Sequence, residues 1–181
     1  MALLNFTGSG SYRELDIVKA TFEHAGYLQH VLRSTDLREC IIGGASAWRA
    51  LHVPLTIDDA ETFTVLSDDK PICMFGTVPI AVEEEGSLGS IWLLGSYDLD
   101  NHQNTWLRLT HTVFDYFNSK YDVLENVVPI DHENTIKWLT FAGCLFASQP
   151  TMVNGFAVLR FVRCASHIDL SFQDYERPIS N

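Results

Sequence analysis

A chain of 181 residues, 46% hydrophobic and carrying 11 Phe, 6 Tyr and 4 Trp, has enough apolar surface to bury a core as one domain, which excludes disorder as its general state. A formal net charge of -11 and a pI near 4.9 exclude an extended basic surface for nucleic acid or for an anionic membrane. The opening "MALLNFTGSG" has no basic region and too short an apolar run for a signal peptide, and no stretch reaches the roughly 18 apolar residues of a membrane span, so a soluble acidic protein is expected.

In chain order, residues 1–14 read as a flexible arm, and "LDIVKAT" (Leu15 to Thr21) alternates as a first strand. "FEHAGYLQHVLRSTDLREC" places Phe22, Leu28, Val31 and Leu32 near helical spacing and reads as one helix. A further helix starts at Ser46, beyond two glycines, and stops before Pro54. "ETFTVLSDDKPICMFGTVPI" predicts a hairpin around Ser67 to Pro71. A turn at "VEEEGSLG" follows, with Glu83, Glu84 and Glu85 at its tip, and then a strand from Ser90 to Ser96.

From Gln103 to Lys120 the periodicity is strongest: Trp106, Leu109, Val113, Phe114 and Phe117 form one apolar stripe. "VLENVVPI" is a strand, so this helix joins two strands and predicts their parallel pairing. Asp131 is placed to cap the next helix, with Ile136, Leu139 and Gly143 on one face. "LFASQP" and "GFAVLRFVR" predict an antiparallel pair, and residues 164–181 a polar tail in which Ile168, Leu170 and Phe172 alternate. Cys40, Cys73, Cys144 and Cys164 form no CxxC pair and are expected to be reduced, mostly buried thiols.

This element order is mixed α/β with a largely antiparallel sheet and one parallel step. The segment "ENVVPIDHENTIKWLTFAGCLF" resembles the part of the GNAT acetyltransferase fold in which a strand runs into an Asn-bearing helix. The likeness covers residues 15–163 and implies a single-domain GNAT-like fold. A narrower pattern, "IWLLGS…W…F…KYDVLENVV…TIKWL…G…F", is similar to the GNAT-like internal virion proteins of short-tailed, T7-like bacteriophages. That resemblance implies a place in the virion interior, and in the cytoplasm of the infected host during assembly. Its expected partners are other virion proteins or further copies of the chain, with no direct nucleic acid or membrane contact.

The GNAT resemblance also says where chemistry belongs. The family binds the pyrophosphate of acetyl-CoA with an Arg/Gln-x-x-Gly-x-Gly/Ala loop between the central strand and the long helix, where small residues let backbone N–H groups approach the phosphates. Here that loop is "GSYDLDNHQNT": after Gly95 it has no glycine, Arg or Lys, and Asp98 and Asp100 stand where phosphates would lie. If CoA binds, the resemblance assigns it Leu93, Leu94, Gly95, Ser96 and Asn134. The family's Tyr acid, four residues before the helix-ending Gly, is Leu139; the Phe after that Gly is Cys144; and "SIWLLGS" holds no carboxylate base. No catalytic residue is assigned. His102 and His132, with Asp98, Asp100 and Asp131, could come together as a metal site, but scattered surface histidine accounts for them better and no metal is expected. The expected function is that of a non-enzymatic virion protein with a degenerate GNAT fold and no cofactor. The alternatives are an acetyl-CoA-dependent N-acetyltransferase with an atypical loop, and a small phage protein that binds a host factor.

Overall fold

Asp68 and Asp69 both adopt left-handed backbone (φ 50° and 61°), which makes the tight two-residue turn that right-twisted strands prefer. The turn joins β3 (Glu61–Ser67) to β4 (Lys70–Glu83) in register Ser67↔Lys70, so Lys70 and Pro71 are already strand and not turn. The computed structural model describes residues 4–6, 15–83, 86–168 and 175–176. It divides into two compact units, Met1–Val78 with Trp92–Gln103, and Pro79–Ile91 with Asn104–Asn181.

In the first unit β2 (Leu15–Lys19) pairs antiparallel with β3, and β1 (Leu4–Phe6) pairs with β2. Residues 4–6, expected to be loose, therefore have a place in the sheet; the rest of the expected arm lies outside the described residues. The expected single helix after Thr21 is two. Helix α1 (Phe22–Leu28) starts where the Thr21 hydroxyl accepts the His24 N–H, and α2 (Ser34–Ile42) starts after Arg33, whose ψ of 152° is extended. Periodicity alone runs through this break, because Leu28 and Leu32 both point into the same core. Helix α3 (Ala47–His52) begins as expected, with Ser46 accepting the Arg49 N–H. Ala25, Leu28, Leu32, Cys40, Leu51, Met74 and Leu94 form the core of this unit.

Between β3 and β4 the register skips Ile72: Val65 faces Cys73, but Leu66 faces Pro71. This is a β-bulge, a place where a strand tolerates Pro and re-aims a residue. The next strand is longer than its apolar run suggested, β5 (Gly86–Gly95), and takes in "GSLG". Glu84 and Glu85 lie outside the described residues.

In the second unit helix α4 (Gln103–Asn118) buries Trp106, Leu109, Val113, Phe114 and Phe117, the stripe read from the sequence. Strand β6 (Val123–Pro129) runs parallel to β5 in register Leu88↔Val123 to Ser90↔Glu125, as a crossover helix requires. Beyond that register the Asn126 side chain donates to the Ile91 carbonyl at 2.6 Å. Helix α5 (Glu133–Phe141) has His132, not Asp131, at its N-cap position, and no side-chain capping bond is made there. Gly143 is not on its buried face but ends it: at φ 85° its N–H bonds Thr140 O while Cys144 N–H bonds Leu139 O, the paired bonds of a Schellman motif. The indole of Trp138 donates to Thr110 at 2.8 Å and lies 6.0 Å from the Phe114 ring.

The closing pair is three strands. β7 (Leu145–Ala147) and β8 (Thr151–Val153) both pair with β9 (Phe156–Cys164), β8 through an Asn154-Gly155 turn with positive φ at both residues. β9 also pairs along β6. Residues Tyr175–Glu176 of the expected tail form β10 on β7, while Leu170 and Phe172 lie outside the described residues. Phe117 is fully buried. Phe117→Ala is expected to cost about 3–5 kcal/mol in chemical denaturation, the range for truncating a core aromatic; a loss below about 1 kcal/mol is the behaviour of a surface residue.

Candidate functional site

Successive residues of a strand turn their backbone groups to opposite edges. At the end of β5, Ser96 faces β4: its N–H and its hydroxyl both donate to the carbonyl of the bulge residue Ile72, at 2.8 and 3.1 Å. Gly95 faces the other way, and its backbone groups are taken there by Arg33, in the segment that separates α1 from α2, and by Asp36, in the first turn of α2. Arg33 N–H donates to Gly95 O at 3.0 Å, Leu32 bridges Ser96, and Gly95 N–H donates to the Asp36 carboxylate at 2.7 Å. A side chain at Gly95 would be crowded, since a Cβ would lie 2.9 Å from Leu99 Cδ2 and 3.2 Å from Cys73 Cβ, and both neighbours would have to shift.

Asp36 is only 2% exposed, and a buried carboxylate is tolerated only when its lone pairs are filled. Besides the Gly95 amide it accepts Arg33 Nε at 2.7 Å, Arg33 Nη2 at 3.1 Å and the Thr35 hydroxyl at 3.0 Å. The remaining Arg33 nitrogen, Nη1, reaches Asp100 at 2.9 Å. Burial opposes the charge on Arg33, but the hydrogen bonds to Asp36 and Asp100 and their attraction outweigh it and hold the guanidinium above its ordinary range.

The two aspartates of the loop are therefore not bare charges. Residues Tyr97–His102 form a 3-10 turn that Ser96 caps by accepting the Asp98 N–H, and Lys70 pairs with Asp98 at 2.7 Å. Sequence reading found no Arg or Lys within this loop; folding brings Arg33 and Lys70 to it from elsewhere in the chain. Three carboxylates, Asp36, Asp98 and Asp100, still face two cations. Tyr97 adds a hydroxyl that donates to Ser34 Oγ and accepts Ser34 N–H.

Of the residues assigned from the sequence, Leu94, Gly95 and Ser96 are buried at this strand end, Leu93 is half-buried, and Asn134 is exposed in the first turn of α5 in the other unit. Leu139 and Cys144, at the positions that the resemblance gives to the family's acid and to the Phe after its helix-ending Gly, are buried. Arg33 and Asp36 were missed. The signal available was "RSTD", whose Ser-Thr-Asp run favours a helix start over a helix interior. Among the described residues no group of three or more His, Cys, Asp and Glu is placed to hold a metal ion, and no helix is long and apolar enough to cross a membrane. Burial pushes Cys40 up to about 11, helped by Asp36 and Glu39, and Cys144 up to about 12, so these thiols stay protonated near neutrality and are poor nucleophiles.

No protein-family model matches this sequence, and no curated protein sequence does. Solved structures do. An aminoglycoside N(6')acetyltransferase from Legionella pneumophila superposes with a TM-score of 0.63 at 12% identity, over 87% of this chain and 95% of that one. The ribosomal-protein-S18-alanine N-acetyltransferase from Escherichia coli gives 0.59 at 11%, over 87% and 97%. A putative phosphinothricin N-acetyltransferase gives 0.62 at 7%, over 84% and 99%. The chain has the mixed α/β, mostly antiparallel GNAT fold.

Glu39, one turn along α2 from Asp36, has its carboxyl pushed up to about 7, first by burial and then by the Asp36 charge, with Arg33 opposing. The folded state holds this proton more tightly than the unfolded chain, so its contribution is complete below about pH 4.5 and fades as the pH rises through about 7. Glu39→Gln is expected to remove that slope, gaining about 1–3 kcal/mol over the parent at pH 8 and little at pH 4.5. Parallel urea denaturation of both proteins across this window checks it, and two curves of the same shape would place the titration elsewhere.

Proposed function

We propose that this chain uses the acetyltransferase fold to bind other proteins and does not transfer acetyl groups. What supports the reading is one observation: at the strand end where the family resemblance assigns CoA, the Gly95 N–H is held by the Asp36 carboxylate and the Ser96 N–H by the Ile72 carbonyl. A pyrophosphate needs free, converging N–H donors and a positive field. Here those two donors are spent within the fold, and one of them on a buried carboxylate. The residues present do not fit the cofactor, and no acetyl-transfer step is built on them. The absence of a carboxylate in "SIWLLGS" and the replacement of the acid by Leu139 point the same way.

The resemblance to internal virion proteins of T7-like phages supplies the setting: a component of the particle interior that acts in assembly or genome delivery through protein contacts. The net charge of -11 favours basic protein surfaces over DNA as the immediate partner. Such a protein has no need of a free phosphate-binding loop, and closing it with Asp36 turns the strand end into part of the core.

Calorimetric titration with acetyl-CoA is the test. No binding in the low micromolar range, about -8 kcal/mol, is expected. Affinity of that order would mean that the loop rearranges around the cofactor, and the N-acetyltransferase reading would replace this one.

A further inference from the structure

Four donors converge on the Asp36 carboxylate from three directions: the Gly95 amide at 2.7 Å, two nitrogens of Arg33 at 2.7 and 3.1 Å, and the Thr35 hydroxyl at 3.0 Å. Arg33 also donates through Nη1 to Asp100, and its backbone N–H donates to Gly95 O, so two contacts that do not involve Asp36 remain to it. A planar guanidinium fork plus a strand amide and a hydroxyl is a recognition set for a carboxylate-sized oxyanion, with charge-assisted bonds to both oxygens.

We propose that Arg33, Thr35 and the Gly95 amide form a built oxyanion site, that Asp36 is its tethered resident ligand, and that a small monocarboxylate takes the site when that side chain is removed. This rests on the reading that Asp36 closes the strand end, and it adds the chemical class that the closed site accepts. Because Asp36 sits three residues from Arg33 on the same short stretch, its effective concentration at the site far exceeds that of any free anion. The native protein is therefore insensitive to added monocarboxylate. Removing only the carboxylate leaves the Gly95 amide and the Nε and Nη2 of half-buried Arg33 without that acceptor, a costly arrangement that a fitting anion relieves.

The test compares the full-length chain with Asp36→Ala and with Asp36→Asn, which retains the shape and one oxygen. Thermal midpoints are read against sodium formate, with sodium chloride at the same ionic strength as the control. For Asp36→Ala a lowered midpoint is expected, with saturable recovery of about half or more of the loss in formate and not in chloride. The native chain and Asp36→Asn should respond to the two salts alike. If Asp36→Ala does not fold unaided, the yield of folded protein on refolding in formate against chloride gives the reading: recovery in formate alone supports the site. Equal yields, nil in both included, overturn it, as does an equal formate response in all three proteins. CoA binding to the native chain would remove the closed-loop reading and leave the formate result standing on its own.

Discussion

The buried carboxylate of Asp36 is the constraint from which the rest of the first unit follows. A carboxyl group with so little exposure must have its oxygens filled, and the chain fills them by stopping α1 at Leu28, extending Leu32 and Arg33 against the end of β5, and starting α2 at Ser34. The helix break, the short approach at Gly95 and the orientation of Arg33 are three parts of one hydrogen-bonded arrangement. Removing one partner strands the others, which is why such a network specifies a single conformation.

Much of the second unit was legible because local and global signals agree there. The stripe on α4 has helical spacing, the flanking strands are β-branched, and a helix between two strands allows little besides parallel pairing. The first unit was less legible, since Leu28 and Leu32 keep helical spacing across a break that tertiary pairing imposes. Asp131 looks like a cap in sequence, yet α5 begins at Glu133 with His132 before it, one residue too late for that role. The candidate site was half legible. Its lack of cations, and of any glycine after Gly95, could be read from "GSYDLDNHQNT", but Arg33, Asp36 and Lys70 come from elsewhere in the chain, and although "RSTD" marks a helix start, nothing local ties it or Lys70 to this loop.

A fold held in common with enzymes of several substrate classes places a scaffold and leaves the chemistry to particular side chains. In this chain the positions to which the family resemblance assigns chemistry are packed. Leu139 and Cys144 are buried, the thiols are held protonated, and the strand end is hydrogen-bonded within itself.

The bulge at Ile72 has a bearing on how this chain tolerates change in length. The skipped residue is a spacer: it lets β3 and β4 slip by one position so that a carbonyl is turned toward Ser96. A chain lacking that one residue would regain an unbroken ladder and look more regular as a sheet. It would also leave Ser96, and the turn that Ser96 caps, with no anchorage on β4. Local irregularity in one hairpin is thus the tolerance that anchors a turn whose capping residue lies 24 residues downstream, so a change of length at the bulge is felt at that turn.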